Sequence, residues 1–203
     1  MKTAVIFLLS LLIFTAGPLA QAVLPTFNAQ AVEEEEEFIP QECSFYCAGF
    51  THTEDASSHL PRRGSLSYDA ARAHDRNLET AWVEGKEGDG IGESLVYTID
   101  TSRRRGDDLL KVTGLRIYNG YRKSRELWQD NSRVKRLRMY VNGKPYAIIN
   151  LEDSYNYQDV EVGAVELKPK RTILKFEIME VYKGRKHTDT AITEIELNGC
   201  CAH

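Results

Sequence analysis

Three stretches of the chain, residues 82–93, 118–133 and 182–190, concentrate side chains that could bind a polar ligand. The aromatic candidates are Tyr118, Tyr121 and Trp128, and the polar candidates are Glu84, Asn119, Arg125, Arg133 and Asp189. An aromatic ring offers a flat apolar face, and planar charged or amide groups form hydrogen bonds with neighbouring hydroxyls. A sugar ring carries an apolar face beside its hydroxyls, so this combination favours sugar binding.

Each of these side chains also has a structural interpretation. Glu84, Asn119 and Asp189 are about equally suited to organising their loops, because their oxygens accept hydrogen bonds from backbone N–H groups. Trp128 lies in the polar stretch Arg-Glu-Leu-Trp-Gln-Asp-Asn, which is compatible with exposure and with packing. The composition of the loops therefore leaves ligand contact and loop organisation open.

The sequence offers little support for catalysis. Two carboxylates such as Glu84 and Glu93 could serve a glycosidase, which needs a paired acid and base, but charged residues are common on loops. The histidines His52, His59, His74, His187 and His203 lie in no H-E-x-x-H arrangement. The sequence also lacks a G-x-S-x-G elbow, a phosphate-binding loop and a dinucleotide fingerprint. We therefore expect a binding module, with a carboxylate-pair glycosidase as the minor alternative.

Short strands are expected to position these loops. From Ser94 onward apolar residues alternate with polar ones, as in Leu95, Tyr97 and Ile99, and a period of two is typical of β-strands. Asn142-Gly143 lies between two such runs and predicts a β-hairpin. Residues 69–76 are expected to form one short helical turn. Many short strands with polar connections indicate an all-β sandwich or jelly roll.

The N-terminus has the pattern of a secretory signal peptide. Lys2 precedes an apolar run from Ala4 to Phe14, and Ala20-Gln21-Ala22 forms a small-residue cleavage signal. The run is shorter than the roughly 20 residues of a membrane-spanning helix, although an uncleaved anchor is the alternative. We therefore assign residues 1–22 to a signal peptide, 23–42 to an acidic disordered segment and 43–203 to the folded domain. The protein is expected to be secreted or periplasmic.

The charge distribution argues against a nucleic-acid partner. Removal of Lys2 with the signal segment changes the formal charge from −4 to −5, and Glu33 to Glu37 contribute much of it. A block of like charges is typical of a solvated, disordered spacer, which we favour over a docking tail. The rest of the domain is close to neutral, so it gives no electrostatic support for binding phosphates.

The four cysteines, Cys43, Cys47, Cys200 and Cys201, lie only near the ends of the expected domain. In an exported protein an even number of cysteines indicates disulfides, and their spacing does not match a zinc knuckle. Adjacent cysteines bridge each other only with strain, so Cys200 and Cys201 are expected to pair with Cys43 and Cys47 in an order the spacing leaves open. The first and last strands of the domain are then expected to lie side by side.

Residues 73–82, Ala-His-Asp-Arg-Asn-Leu-Glu-Thr-Ala-Trp, resemble the A-x-D-G-D/N-x-x-T-x-W signature of discoidin-like domains, also called coagulation-factor-type C domains. The motifs that resemble one subgroup are Trp82 to Gly85, Gly90 to Glu93, Tyr118 to Tyr121 and Asp189 to Ile195. This subgroup is the glycan-binding, translocation-type domain first recognised on a secreted bacterial NAD glycohydrolase toxin. The resemblance covers roughly residues 55–198. It implies a galactose-binding-like jelly-roll β-sandwich that binds sugars at one end, without the NAD-cleaving activity of a separate catalytic domain.

The resemblance also implies a structural calcium ion, which discoidin-like domains often hold on the signature loop. The corresponding ligands are Asp75, Asn77, Thr80 and Glu194, and oxygen ligands of this kind suit Ca²⁺. Arg76 stands where the signature has glycine, so a positive φ there carries a conformational cost, and its guanidinium is an alternative to the cation. The structural alternative is that Asp75 caps a turn and Glu194 faces solvent. Trp82, at the end of the signature, is expected in the core.

These expectations combine into a secreted, non-catalytic module that binds glycans or glycoconjugates through loops at one end of a jelly roll. The alternative from a different class is an adhesive or structural module whose loops bind a protein partner at a cell surface.

Overall fold

The computed structural model describes residues 23–33, 50–102, 110–168 and 170–201. The described chain forms strands β1 to β11, one 3₁₀ helix and one α-helix, α1. In order, the strands are Thr26–Asn28, Gln30–Ala31, Thr51–Ala56, Trp82–Val83, Ser94–Asp100, Leu110–Asn119, Ser132–Val141, Lys144–Asn150, Gln158–Glu166, Arg171–Tyr182 and Thr190–Cys201. The helices are the 3₁₀ helix Ala70–Ala73 and α1, Arg125–Asp130.

The strands form a sandwich whose two halves meet at β11. The hydrogen-bonded order is β2-β9-β6-β11-β7-β10-β5-β3, with β8 joined to β7 and to β1, and β4 joined to β11. Strand β11 pairs with β6 from Glu194 onward, but it pairs with β7 only at Thr190 and Ala191. This short junction lets the two halves turn toward each other. Both halves contribute to one apolar core, for example through Ile195 from β11 and Phe176 from β10. The arrangement confirms the predicted all-β sandwich.

The alternating pattern places the core as expected. Leu95, Tyr97 and Ile99 are completely buried on one face of β5, because successive side chains of a strand point to opposite faces. Asn142 and Gly143 adopt φ values of 50° and 78° and join β7 to β8, which confirms the predicted hairpin. Residues 70–73 form the expected short turn.

The start of the described chain differs from the expectation of disorder. Thr26–Asn28 form β1, which pairs in parallel with β8, and Gln30–Ala31 form β2 on β9. Phe27 packs against the apolar core, and the backbone N–H of Ile148 donates to the carbonyl of Pro25. The assignment of residues 26–31 to a disordered segment is therefore wrong. The acidic run that follows them suggests disorder, but these residues pair with the distant strands β8 and β9.

The expected pairing of the first and last strands is also not observed. In the described sheet β1, β2 and β3 pair with β8, β9 and β5, whereas β11 pairs with β4, β6 and β7. The last strand, β11, lies in the interior of the strand order, between β6 and β7, and the positions of the cysteines in the sequence do not reveal this.

Helix α1 is a six-residue element that the sequence did not predict. The Ser124 hydroxyl accepts a hydrogen bond from the Leu127 N–H at 3.1 Å and so caps the first turn. A helix this short has too few turns to show a periodic apolar face. Its position in the loop between β6 and β7 matters for the site described below.

Several expectations fall on residues outside the described ranges. The signal segment, Glu34 to Glu37, Cys43 and Cys47 lie there, and for Cys200 and Cys201 only the backbone is described. Among the described residues, no helix is both long enough and apolar enough to cross a membrane.

Candidate functional site

The three polar stretches converge at one end of the sandwich. The N–H of Thr190 donates to the Glu84 carboxylate at 3.2 Å, which joins stretches 106 residues apart. The N–H of Ser132 donates to the carbonyl of Asp189 at 3.0 Å, and the Ser132 hydroxyl accepts from the N–H of Gly184 at 3.1 Å. Residues that are distant in sequence therefore form one loop surface, as expected for a β-sandwich.

Glu84 holds two of these loops together from a fully buried position. One carboxylate oxygen accepts from the Thr190 N–H, and the other accepts from the Lys86 N–H at 2.8 Å. Burial raises the pKa of the Glu84 carboxyl, while the two N–H groups oppose this by stabilising the charged form. Both oxygens are engaged by backbone, which places Glu84 in the loop-organising role.

Asn119 is likewise 1% exposed and binds backbone on both sides of its amide. Its Nδ2 donates to the carbonyl of Val134 at 2.7 Å, and its Oδ1 accepts from the N–H of Val134 at 3.0 Å. The neighbouring Tyr118 is 5% exposed and packs against Tyr157, with 5.6 Å between ring centroids. Burial raises the pKa of the Tyr118 hydroxyl. The structure gives both residues positions beneath the loop surface.

Trp128 packs inward from α1 onto the end of β6. Its indole N–H donates to the carbonyl of Asn119 at 3.0 Å, and the Arg133 guanidinium lies 4.3 Å from the ring centroid. Gly120, with φ of 78°, provides the space for this contact, because a Cβ there would lie 2.6 Å from the indole ring. Trp128 is 7% exposed, so its indole packs inside the protein, as one of the two alternatives predicted.

Arg133 is buried and is held by an ion pair at the surface. Its Nε and Nη2 donate to the two carboxylate oxygens of Asp153 at 2.7 and 3.0 Å. Its Nη1 donates to the carbonyls of Trp128 and Asn131. A planar guanidinium suits this set of acceptors, and the arrangement connects β7 to the loop between β8 and β9.

Tyr155, in the loop between β8 and β9, is a partly exposed aromatic ring that the sequence analysis did not select. The guanidinium carbons of Arg122 and Arg125 lie 4.7 and 4.5 Å from its ring centroid. Trp128 approaches the same ring edge-on at 5.7 Å, and the Tyr155 hydroxyl donates to the carbonyl of Arg122 at 3.0 Å. Arg125 itself is exposed. We call these four side chains, Arg122, Arg125, Trp128 and Tyr155, the arginine–aromatic cluster.

Tyr121 belongs to a second apolar cluster, which also includes Leu127 of α1. The buried members are Ala81, Val83, Tyr121 and Ala191, and the partly buried ones are Leu60, Tyr68 and Leu127. Tyr121 and Tyr68 meet edge to face with centroids 6.5 Å apart. Burial raises the pKa of the Tyr121 hydroxyl. This second cluster supports α1 and the loops from beneath.

The signature loop between the 3₁₀ helix and β4 is built around Asp75. The Thr80 hydroxyl donates to both Asp75 carboxylate oxygens at 2.8 and 2.9 Å, and the Asn77 N–H donates to Oδ1 at 3.0 Å. Arg72 donates to Oδ2 at 3.1 Å. Arg76 adopts φ of 57°, the left-handed conformation that suits the glycine of the signature. Arg76 therefore adopts a positive φ in spite of the conformational cost to a residue with a side chain.

Glu194 on β11 lies beside this loop and is fully buried rather than facing solvent. Its Oε2 accepts from the Arg76 N–H at 3.0 Å, whereas its buried Oε1 has no hydrogen-bond partner in the described structure. Burial, with a smaller contribution from the nearby carboxylates of Glu196 and Asp75, raises the pKa of Glu194 to about 8. A buried acceptor without a donor is costly, so this oxygen fits a cation or a bound proton.

Of the predicted ligand-binding residues, Arg125 is exposed and Asp189 is partly exposed, whereas the remaining six are buried beneath the loops. Of the predicted calcium ligands, Asp75, Asn77 and Thr80 are joined by hydrogen bonds within one loop, and Glu194 contacts that loop through the N–H of Arg76. Tyr155 was missed because a single tyrosine in the polar run from Glu152 to Asn156 carries no periodic signal. Trp82 is completely buried, as expected.

Comparison with known families gives a match over most of the chain. The family model of NAD glycohydrolase translocation F5/8 type C domains matches residues 45–198. No match to a curated protein was found.

Solved structures give likenesses at the level of the fold. The CBM32-1 and CBM32-2 domains of Clostridium perfringens ZmpB, in complex with GalNAc, are 12% identical with a TM-score of 0.52, covering 88% of this chain and 41% of that one. The C-terminal domain of a Bacteroides fragilis chitobiase is 17% identical with a TM-score of 0.50, covering 76% of this chain and 96% of that one. This chain thus spans about two fifths of the ZmpB chain. These likenesses confirm the predicted galactose-binding-like, discoidin-like jelly roll.

Proposed function

Because this chain belongs to the NAD glycohydrolase translocation family of F5/8 type C domains, we propose that it is a carbohydrate-binding module that recognises oligosaccharides through the loops at one end of its sandwich. The observation that carries the proposal is the arginine–aromatic cluster on that loop surface. The solvent-exposed guanidinium of Arg125 lies over the partly exposed ring of Tyr155, so the pair offers a sugar hydrogen-bond donors beside an aromatic surface.

The buried residues beneath the surface support the same function by making it rigid. Glu84, Asn119 and Arg133 fix the loop backbones through hydrogen bonds to backbone or to a surface carboxylate. A preorganised surface loses less conformational entropy when it binds a ligand. The contact residues are then Arg125, Tyr155 and the partly exposed Asp189, with the buried residues acting as their support.

The module is proposed to be non-catalytic. A glycosidase would need a pair of carboxylates such as Glu84 and Glu93. Glu84 is engaged by two backbone N–H groups. Glu93 accepts from the Ser57 hydroxyl at 2.5 Å and lies 3.7 Å from the Lys86 ammonium. A glycosidase needs one carboxyl free to protonate the leaving group and another free to activate water or attack, and these contacts favour binding over turnover.

A structural calcium ion is proposed on the signature loop. Asp75, Asn77, Thr80 and Glu194 would hold it, and the buried Glu194 oxygen without a hydrogen-bond donor is the observation that fits a cation there. When bound, the ion would supply positive charge that ties β11 to the loop. The export of the protein to the periplasm or the cell exterior, proposed from the N-terminal pattern, is consistent with access to glycans outside the cell.

A glycan array probed with the purified protein tests the proposal, with GalNAc-containing oligosaccharides among the glycans because the ZmpB domains are complexed with GalNAc. We expect binding to at least one class of oligosaccharide. Tyr155→Ala and Arg125→Ala should each weaken it about tenfold, since a lost stacking or charged contact is worth roughly 1–1.5 kcal/mol.

Tyr140→Ala is the matched control, because Tyr140 also has a cation over its ring, Lys175 at 4.0 Å, but lies on the sheet face of β7. Absence of binding to every oligosaccharide would refute the lectin function and favour a protein-binding adhesive module. Binding that survives both loop substitutions would show that the assigned surface is wrong.

A further inference from the structure

A group of metal-ligand side chains lies where strand β3 meets the 3₁₀ helix, and the proposed glycan site does not use it. In the described part of the chain, His52, Glu54 and His74 each offer one ligand atom within 4.8 Å of the other two. The two imidazole rings meet edge to face with 4.6 Å between their centroids. Two imidazoles and a carboxylate form a recurrent ligand set for transition metals.

Strand pairing and the end of the 3₁₀ helix bring these three residues close together. His52 and Glu54 alternate with exposed residues along β3, so both lie on its less exposed face. Their register on β5 is His52 opposite Ile99 and Glu54 opposite Tyr97. His74 is the C-cap residue that follows the 3₁₀ helix. Strand pairing and the helix end therefore hold the group together without help from a ligand.

The contacts of His74 match those of a metal-binding histidine. Its Nδ1 lies 2.7 Å from the carbonyl oxygen of Ile195. A carbonyl only accepts hydrogen bonds, so Nδ1 carries the proton and Nε2 keeps its lone pair. The buried Glu194 carboxylate lies 3.7 Å from the same Nδ1. Metal-bound histidines commonly donate their second ring N–H to a carbonyl or a carboxylate in this way.

The contact between His52 and Glu54 supplies the other two ligands. Nδ1 of His52 and Oε1 of Glu54 lie 2.5 Å apart, so a proton lies between them. A metal ion displaces protons from its histidine and carboxylate ligands. The same pair that shares a proton in the metal-free protein is therefore chemically suited to share a cation.

We propose that His52, Glu54 and His74 form a binding site for a divalent transition-metal ion, with zinc as the best fit. Calcium favours shells of oxygen ligands, whereas zinc binds imidazole nitrogen and carboxylate oxygen in tetrahedral geometry. Atoms bound to one zinc at about 2.0–2.1 Å stand about 3.3 Å apart, so the group closes by rotation of His52 and Glu54. Their side chains are 28% and 13% exposed, which leaves them room to rotate.

Occupation of this site would stabilise the edge of the sandwich. Strand β3 is at the end of the strand order and pairs with β5, and His74 is hydrogen-bonded to β11 through Ile195. One ion would therefore connect an edge strand to the 3₁₀ helix and, through His74, to the strand at the junction of the two halves. A ligand that binds only the folded state raises the melting temperature.

Titration of the purified, untagged protein with Zn²⁺, and with Co²⁺ as a spectroscopic substitute, tests the site. We expect one ion per chain, a raised melting temperature and a cobalt spectrum without the charge-transfer absorption of thiolate ligands. His52→Gln and Glu54→Gln should each weaken binding about 100-fold or more, because even supporting residues of metal sites contribute 10- to 100-fold. Both residues are partly exposed, and the melting temperature of each metal-free variant reports whether it folds.

His187→Gln is the matched control, since His187 is an exposed histidine in the loop before β11, and it should bind as the unmodified protein does. Failure of Zn²⁺ and Co²⁺ to bind would overturn the proposal. Binding unchanged in the folded His52→Gln and Glu54→Gln variants, or a thiolate cobalt spectrum, would place the ion elsewhere and overturn it as well. None of these results depends on whether the loops bind glycans.

Discussion

Buried polar side chains organise the loop end of this protein at the scale of single residues. Glu84, Asn119 and Glu194 are each no more than 1% exposed and accept hydrogen bonds from backbone N–H groups of distant segments. Such contacts add little net energy when made, but leaving a buried donor or acceptor unpaired is expensive. The loops are therefore held in one arrangement mainly by the cost of breaking these contacts.

Asn119→Ala tests this view. The substitution would leave the N–H and the carbonyl of Val134 without their side-chain partner in a buried position. We expect the free energy of unfolding to fall by about 2–4 kcal/mol, measured by urea denaturation. Asn198→Ala, at an exposed position of β11, is the control and should change the value by no more than about 0.5 kcal/mol. A loss of similar size in both variants would contradict the assigned role.

At the scale of elements, the short helix α1 forms part of the loop surface and is anchored at both ends. Ser124 caps its start. At its end, the Asp130 carboxylate binds Lys186 at 2.8 Å and Arg185 at 2.8 Å, both from the loop between β10 and β11. Because α1 is too short to be stable alone, these contacts and the packing of Leu127 and Trp128 determine its position. The exposed Arg125 of the proposed glycan surface depends on that position.

Acid pH should weaken this anchor. Hydrogen bonds from Lys186 and then from Arg185 lower the pKa of Asp130 below its ordinary value of 3.8. A carboxyl whose pKa is lower in the folded state contributes stability above its unfolded pKa and loses it as the pH falls through the folded pKa. We expect Asp130→Asn to reduce stability at neutral pH and to make stability less dependent on pH between about pH 5 and pH 2.

Urea unfolding at a series of pH values measures the effect of Asp130. Glu87→Gln, which alters an exposed carboxyl of the loop before β5, serves as the control and should keep the slope of the unmodified protein. Equal slopes for Asp130→Asn and the unmodified protein would mean that the contact adds no stability.

At the scale of the whole molecule, β11 connects the two halves of the sandwich and carries Glu194 to the signature loop. The loop also contains Asp75 and Thr80, whose carboxylate and hydroxyl are already hydrogen-bonded to each other. A calcium ion bound there would tie the strand at the junction to the loop that precedes β4. The stability of the molecule as a whole should then respond to calcium.

Calcium should raise the melting temperature of the unmodified protein, and a chelator should reverse the change, because an ion bound only by the folded state stabilises it. Glu194→Gln should remove this response, since the amide lacks the negative charge that Ca²⁺ requires. Glu166→Gln, on an exposed side chain of β9, is the control and should respond normally. If neither calcium nor a chelator changes the melting temperature, the protein does not bind calcium at this loop.

Features of the fold that depend on neighbouring residues could be predicted from the sequence, whereas features that depend on contacts between distant segments could not. The alternation around Leu95 and Leu137, the Asn142-Gly143 hairpin and the burial of Trp82 followed from sequence because strand periodicity and turn conformation are local properties. The sequence did not predict the strands at residues 26–31 or the helix α1. Each is too short to show a periodic pattern of apolar residues and is stabilised by contacts with distant segments. The disulfides expected among the four cysteines remain a prediction.

The candidate site divides in the same way. The sequence by itself determined which stretches form the loop surface and which family they resemble, because both depend on local residue order. The left-handed backbone at Arg76 became known only from the structure. Only the tertiary structure decided that Glu84 and Asn119 face inward, that Tyr155 joins the surface, and that His52, Glu54 and His74 meet. These outcomes depend on strand pairing between segments many residues apart, and a linear pattern does not record which segments pair.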